Sequence, residues 1–183
     1  MKRLIQTLCL LLIVTVFLCG CSLWENKYIE RFGDAWQAVK DPTGERTLTH
    51  DGATITLPNT FLDYSGTNEG QGYPFFFASE TIGLFGDKES KSELIAQIGE
   101  CDLAQYAALI AELNEMEYVG QKDGFWTAIY ETDASGDMLT FTVVFYETET
   151  DFWMVQAYCA SHIYAQNEAM IWKYLTAVSF DGN

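Results

Sequence analysis

Apolar and polar residues alternate with a period of two over much of this chain, a pattern typical of β-strands. The alternation is clear over residues 53–57, and because it follows Asp51-Gly52 it predicts a hairpin at that pair. Two short apolar stretches, residues 75–79 and 81–85, also predict strands. Between the hairpin and these strands, residues 65–74 are rich in glycine and predict a loop.

A helical pattern follows these strands. Residues 88–91 are polar and predict another loop. Asp102 with Gln105 three places later resembles a capping box, so a helix is expected to start at Leu103 and to end near Met116. Its apolar residues, which share one face, are Leu103, Tyr106, Ala107, Ile110 and Leu113.

The second half of the chain predicts a three-strand meander and a final helix. Residues 125–132, 138–147 and 152–160 are rich in Phe, Val, Trp, Tyr and Thr, and the turns between them are short. Connections this short require antiparallel neighbours. Ser161 can cap a last helix that runs to about Ala177. The predicted fold class is therefore α+β, an antiparallel sheet built from the hairpin and the meander and packed with two or three helices. We expect residues 46–183 to form this single domain.

The segment before the domain, residues 21–45, has two interpretations. Ile29, Phe32, Trp36 and Val39 are spaced as a helical stripe, which favours a short helix packed on the domain. The alternative is a tether that becomes ordered against something else. In both cases the turn residues of Asp41-Pro42-Thr43-Gly44 end the segment.

Residues 1–20 have the pattern of a signal peptide. Lys2 and Arg3 precede a mostly apolar stretch, residues 4–18, that is short for a membrane span. The stretch ends in Leu18-Cys19-Gly20-Cys21, which resembles the lipobox of bacterial lipoproteins. The resemblance implies cleavage before Cys21, a diacylglycerol linked to its thiol by a thioether bond, and a further acyl chain such as palmitate on its amine. The membrane would then be a partner through that lipid, with the domain on the extracytoplasmic face of the cell membrane. The alternative is an ordinary transmembrane anchor.

The composition of the chain excludes some classes of function and of structure. The 183 residues carry a net charge of −16, with a pI near 4.2. This charge argues against nucleic-acid binding, which needs clustered Lys and Arg. Apolar residues make up 49 % of the chain and aromatic residues 15 %, which excludes a disordered chain.

The domain resembles the Mog1/PsbP-like group of proteins. The resemblance lies in the string Ala53-Thr54-Ile55-Thr56-Leu57-Pro58, followed by Phe61. It lies also in Phe152-Trp153-Met154-Val155, followed by a helix and Ala177-Val178-Ser179-Phe180. It covers residues 46–180 and implies a binding scaffold without catalysis. It provides no motif from which a functional residue could be transferred.

Candidate chemistry is sparse. His50 and His162 fall in turns, and the known nucleophile, zinc and phosphate-loop motifs are missing from the sequence. Asp133, Ser135 and Asp137 have the spacing of a calcium loop, which fails where Gly and Glu should follow. We therefore predict no catalytic residue, no metal and no cofactor. Two alternatives stay open: an envelope enzyme that uses Glu147, Glu149 and Asp151, and a small-ligand receptor whose groove lies beside the glycine-rich loop.

Aromatic residues on the meander are the candidate contact surface for a protein partner in the cell envelope. They are Trp126, Tyr130, Tyr146 and Trp153. Alternation places Trp126 and Tyr130 on one face, whereas the faces of Tyr146 and Trp153 depend on the register of the turns. If helices cover one face the rings form an exposed patch, and if helices cover both faces the rings are core. Cys101 and Cys159 either form one disulfide or lie apart, with Cys159 buried.

Overall fold

The computed structural model describes residues 41–181 together with Gly33, Ala35, Trp36, Val39 and Lys40. The predictions for the signal peptide, for Cys21, and for Ile29 and Phe32 lie outside these residues. Trp36 and Val39 are helical, as the stripe predicts, and are 59 % and 77 % exposed.

The described strands form two antiparallel sheets. The small sheet has the order β1-β2-β10, formed by Glu45–His50, Ala53–Pro58 and Ser179–Phe180. The large sheet has the order β3-β4-β5-β9-β8-β7-β6. Its strands are, in chain order, Leu62–Asp63, Phe75–Ala78, Gly83–Ser90, Glu117–Lys122, Phe125–Ala134, Asp137–Glu147 and Asp151–Ala160.

Three helices are described in full. They are α1 (Lys91–Ile98), α2 (Leu103–Leu113) and α3 (Tyr164–Thr176), the last preceded by the 3-10 turn Ser161–Ile163. None of the helices in the described part of the chain is both long enough and apolar enough to cross a membrane. The predicted fold class, an α+β protein with antiparallel sheets and helices, is confirmed.

The large sheet has a hydrophobic core on each face. On the inner face, side chains such as Leu84, Val144 and Val155 pack with β2 and with Ile171 and Leu175 of α3. On the outer face, α2 packs against β6, β7 and β8, and its Tyr106 ring stacks 4.5 Å from Phe152. The two faces therefore differ in how much of each is covered.

Local patterns predict most elements correctly. The hairpin turns at Asp51 and Gly52, both with positive φ, and α2 begins with the capping box of Asp102 and Gln105. The meander has the predicted order, β7-β8-β9. Residues 65–74 lie outside the named strands, apart from one isolated bridge between Ser65 and Gly70.

The structure differs from the sequence analysis at three places, two of them because tertiary pairing overrides local pattern. The loop predicted at residues 88–91 is the end of β5 and the start of α1, since β5 pairs with β9 as far as Ser90 and Asp151. Strand β6, mostly exposed, was not predicted. Ser161 does not cap the last helix, because it begins the 3-10 turn instead.

The two cysteines of the domain lie on opposite faces of the large sheet. Cys159 belongs to the core of the inner face, and Cys101 packs at the margin of the core under α2. Both are free thiols. Of the two interpretations of this pair, the structure therefore has the one without a bridge.

Candidate binding face

Seven aromatic rings form a continuous surface on the outer face of the large sheet, beside the part that α2 covers. We call this surface the aromatic face. Five of the rings lie on strands β4, β5, β7, β8 and β9, one follows β3, and one lies in the glycine-rich loop. In chain order they are Tyr64, Tyr73, Phe76, Phe85, Tyr130, Phe141 and Tyr158.

A stack of three rings forms the middle of the aromatic face. Cross-strand pairing sets Tyr130 opposite Phe141 and Phe141 opposite Tyr158. The Tyr130 and Phe141 ring centroids are 4.5 Å apart and nearly parallel, and those of Phe141 and Tyr158 are 4.9 Å apart. These separations match the spacing of neighbouring strands, so the pairing of the strands itself brings the rings into contact.

Phe85 joins this stack to the glycine-rich loop. Its ring lies edge-on to both Phe141 and Tyr158, with centroids 6.3 Å away in each case. On its other side it meets Tyr73 of the loop, whose centroid is 4.6 Å away. Tyr73 is 40 % exposed and is the ring most open to solvent. The loop therefore contributes a ring to the aromatic face.

Glycines permit this close packing at two places. Gly83 lies opposite Tyr158, and a Cβ on Gly83 would come within 2.2 Å of the Tyr158 ring. A Cβ on Gly70 would come within 2.3 Å of the Tyr64 carbonyl oxygen. Both positions require glycine because other groups occupy the space where a Cβ would lie.

The surroundings of the Tyr130 and Tyr158 hydroxyls favour their neutral form. Tyr130 donates a hydrogen bond of 2.8 Å to the Gln156 side-chain oxygen, and Gln156 is buried. Burial, with a smaller effect from Tyr73, raises the pKa of Tyr130 to about 12. Burial also raises the pKa of Tyr158, with smaller effects from Tyr64 and Tyr73. The face thus combines apolar rings with neutral hydroxyl groups.

The aromatic face lies outside both core clusters except at Tyr130, which touches the margin of one. Phe85 and Phe141 are each only 8 % exposed, yet the groups that surround them are other rings of the same face. Among the described helices, α2 packs on β6 to β8, and α3 packs on the inner face. Helix α1 contacts β5, and its Leu94 packs at the margin of the core under α2. Within the described part of the chain, the helices on the outer face are therefore centred on that core and not on the seven rings.

The structure separates the four aromatic residues that the sequence proposed. Tyr130 lies on the aromatic face. Trp126 is on the same side of the sheet, stacked on Tyr118 and packed at the edge of the core under α2.

Tyr146 and Trp153 lie on the inner face, so a surface role for them is not supported. They pair with each other across β8 and β9, and Trp153 is 2 % exposed. The Tyr146 hydroxyl donates to the Leu175 carbonyl of α3. Both rings pack on Phe180 of the small sheet. The small sheet and α3 bury them, and neither element has a local signal showing which face it covers.

Two of the three carboxylates of the enzyme hypothesis line a common cavity, and Glu147 is not part of its lining. Glu147 forms an ion pair with Lys91 at 2.7 Å. Glu149 and Asp151 line a cavity of about 230 Å³. Asp51, on the same cavity, is held by Lys88 at 2.7 Å.

No metal-binding group is built elsewhere in the described chain. Within that part, no three His, Cys, Asp or Glu residues are placed to hold a metal ion. Asp133 of the calcium-like turn accepts a hydrogen bond from the Gly136 amide, as turn residues do. His50 is bonded to Asp63 at 2.7 Å and packs against Phe77.

Sequence reasoning missed six of the seven rings. Phe76 and Phe85 lie in strands that were predicted, but alternation alone does not say which face a short strand exposes. Tyr158 and Phe141 share a face with Tyr130, and that agreement depends on the register of the β8 and β9 turn. The only sequence signal for the aromatic face is the high density of aromatic residues.

Comparisons with solved structures find chains with a similar fold. Neither a protein-family model nor a curated protein matches the sequence. The solution structure of cyanobacterial PsbP (CyanoP) from Synechocystis sp. PCC 6803 is similar, with a TM-score of 0.46 and 10 % identity. The match covers 75 % of this chain and 91 % of that chain. The chain therefore has a PsbP-like structural neighbour.

Proposed function

We propose that this chain is a non-catalytic binding module that holds a protein partner of the cell envelope on the aromatic face. The observation that carries the proposal is the continuity of seven rings on the outer face of the large sheet, beside the core that α2 covers in the described part of the chain. Contiguous apolar surface on a soluble domain is a mark of an interaction site, because leaving it in water has a free-energy cost.

Tyrosine-rich surfaces suit protein partners in particular. A tyrosine ring buries a large apolar area with few rotatable bonds, and its hydroxyl can still hydrogen-bond at the edge of an interface. Tyr130 and Tyr158 are already fixed by stacking on Phe141. Little side-chain entropy remains to be lost when a partner binds.

The charge of the chain favours a partner with basic groups around its contact surface. The net charge is −16, and the described lysines of the domain are largely engaged, as in the pairs Lys88–Asp51 and Lys122–Glu168. An anionic ligand would be repelled at a distance, whereas a basic partner would be attracted.

We further propose that lipidation of Cys21 holds the domain at the extracytoplasmic face of the cell membrane. The lipobox-like string Leu18-Cys19-Gly20-Cys21 supports this. Two acyl chains suffice for stable anchoring. An acidic domain is repelled by anionic lipid, which leaves the aromatic face available to a partner in the aqueous phase.

Site-specific photocrosslinking in intact cells tests the binding face. A photoreactive amino acid replaces Tyr73, which is 40 % exposed, and a matched control replaces Met138, which is 45 % exposed and lies in β8 away from the aromatic face. We expect a discrete crosslinked protein from position 73 and none from position 138. Equal crosslinking at both positions, or none at position 73, would contradict the proposal.

A second variant shows that the rings themselves bind. Tyr130→Ala removes the outer ring of the stack, and we expect it to reduce the crosslinked product from position 73 at least several-fold. The melting temperature and near-ultraviolet circular dichroism of the purified variant are measured in parallel. An unchanged yield from a folded variant would contradict the role of the stack.

A further inference from the structure

We infer that a cavity at the end of the aromatic face receives a lysine side chain of the partner. The inference rests on the proposed function, since it assigns the chemistry of one part of the same contact. The cavity has a volume of about 290 Å³ and shares Tyr158 with the aromatic face, and Gly83, which lies opposite Tyr158, also lines it. A partner lying on the rings would reach it without leaving the surface.

The wall of the cavity is largely apolar. It lies between the turn that joins β4 to β5 and the ends of β8 and β9. Aliphatic side chains line it on both sides, among them Ile82, Leu139 and Ile163. This wall suits the methylene chain of a lysine, which is itself apolar over its length.

The polar groups of the turn are already hydrogen-bonded to one another. The Ser79 hydroxyl accepts from the Ile82 amide at 3.0 Å, and the Ser79 amide donates to the Ile82 carbonyl at 2.8 Å. The Cys159 thiol lies 3.6 Å from the Ala160 carbonyl oxygen, to which it donates. A ligand that needs several polar partners is therefore not matched by this wall.

One charged residue lines the cavity. Glu80 is exposed and is the single charged side chain among the described residues that line the cavity. Its carboxylate can meet an ammonium group while the methylene chain lies inside. An acidic side chain would be repelled by both Glu80 and the charge of the whole domain.

The size of the cavity limits the occupant. Pockets for drug-sized ligands and cofactors span about 300–1,000 Å³. A cavity of about 290 Å³ lies just below this range and suits one long side chain. It is therefore a subsite of a larger contact, with the rings providing the rest.

Titration of the purified full chain in detergent with three blocked amino acids tests the inference. The probes are Nα-acetyl-lysine methylamide, the uncharged norleucine analogue and the acidic 2-aminoadipate analogue. Methyl NMR signals of Ile82, Leu139 and Ile163 report occupancy. We expect saturable shifts with lysine, binding about two- to fivefold weaker for norleucine because an exposed ion pair is lost, and weaker still for aminoadipate.

Matched variants separate the two parts of the site. Glu80→Gln should bring lysine to the affinity of norleucine, and Glu112→Gln, an exposed glutamate on α2, should change nothing. Ala160→Phe fills the cavity and should abolish the shifts for every probe. Ala134→Phe, at the exposed end of β7, is its control.

Three outcomes overturn the inference: no saturable shift with lysine, equal binding of lysine and norleucine, or aminoadipate binding as well as lysine. None of these affects crosslinking from position 73. Loss of that crosslink would instead contradict the proposed function itself. The two failures are therefore distinguishable.

Discussion

Gly83 is the residue on which the ring stack rests. Its Cα lies opposite that of Tyr158, and the Tyr158 ring occupies the space where a Cβ would be. Aromatic residues often cover a glycine on the neighbouring strand in this way. The glycine is therefore required by the close approach of the ring and not by a left-handed backbone.

Replacing Gly83 by alanine should destabilise the domain by about 1–3 kcal/mol, because the new methyl group must push the Tyr158 ring away from Phe141. Urea unfolding measures the change. Gly33→Ala is the control, since its Cβ would meet nothing within 4 Å and alanine is the better helix former. The double variant Gly83→Ala/Tyr158→Ala should be no less stable than Tyr158→Ala alone. A strictly additive double variant would contradict the clash.

Ionisation of Tyr130 makes the stability of the folded domain depend on pH. Its pKa is raised to about 12 from an ordinary value near 10, so the folded state retains a proton that the unfolded state releases. The stabilisation due to Tyr130 is complete below about pH 10 and is lost as the pH rises towards about 12. Other tyrosines with raised pKa values, such as Tyr146 and Tyr106, add to the alkaline loss.

Tyr130→Phe should therefore lower the free energy of unfolding at neutral pH by about 1–3 kcal/mol, because buried Gln156 loses a donor. The gap between variant and wild type should shrink between pH 10 and pH 11.5. Subtracting two denaturant curves at each pH cancels the contribution of the other tyrosines. Tyr118→Phe, which keeps its stacking on Trp126, is the control at neutral pH. A gap that stays constant with pH would contradict the raised pKa.

Helix α2 is the element that divides the outer face into a covered part and an open part. It begins at a complete capping box, in which the Asp102 side chain accepts from the Gln105 amide at 2.8 Å and the Gln105 side chain accepts from the Asp102 amide at 3.0 Å. Its Tyr106 and Ala107 are buried on the sheet. The capping box therefore sets the residue at which α2, and with it the covered part of the outer face, begins.

Asp102→Ala should reduce the free energy of unfolding by about 1 kcal/mol, the usual cost of losing an N-cap. Asp102→Asn retains an acceptor oxygen and should recover most of that loss. Amide exchange at residues 103–106 should increase in the alanine variant, while exchange in β4 and β5 is unchanged. Increased exchange throughout the sheet would show that α2 is not an independent local unit.

The elements predicted from sequence are those specified locally. The Asp102–Gln105 cap, the Asp51-Gly52 turn and the short turns of the meander each lie within a few residues of the chain they organise. The end of β5 and all of β6 depend on partners distant in sequence, so polar stretches such as residues 88–90 join the sheet against their own pattern. Tertiary pairing decides these cases.

The candidate site shows the same division at the scale of the whole molecule. Alternation placed Trp126 and Tyr130 together, and they do share a face. It did not place Trp153, because the inner face is chosen by the final helix and by the small sheet, which unite residues from both ends of the domain. The topology of the whole domain decides which sheet faces are covered. An exposed contact surface can therefore be identified only when that topology is known.

At this largest scale the charge of the domain and its proposed anchor act together. A chain with 26 acidic residues against 10 basic ones gains little from an anionic membrane, so the proposed attachment would rely on the lipid. Cys21 is the proposed site, and Cys19, two residues earlier, offers a matched control.

Cys21→Ser should abolish incorporation of labelled palmitate in growing cells and leave the chain unprocessed, because cleavage at a lipobox follows lipidation. Cys19→Ser should retain the label, since a small residue is all that its position requires. The two variants differ by one thiol two positions apart and carry the same domain. Label that persists in Cys21→Ser, or that disappears only in Cys19→Ser, would contradict the anchor while leaving the aromatic face to be judged by its own crosslinks.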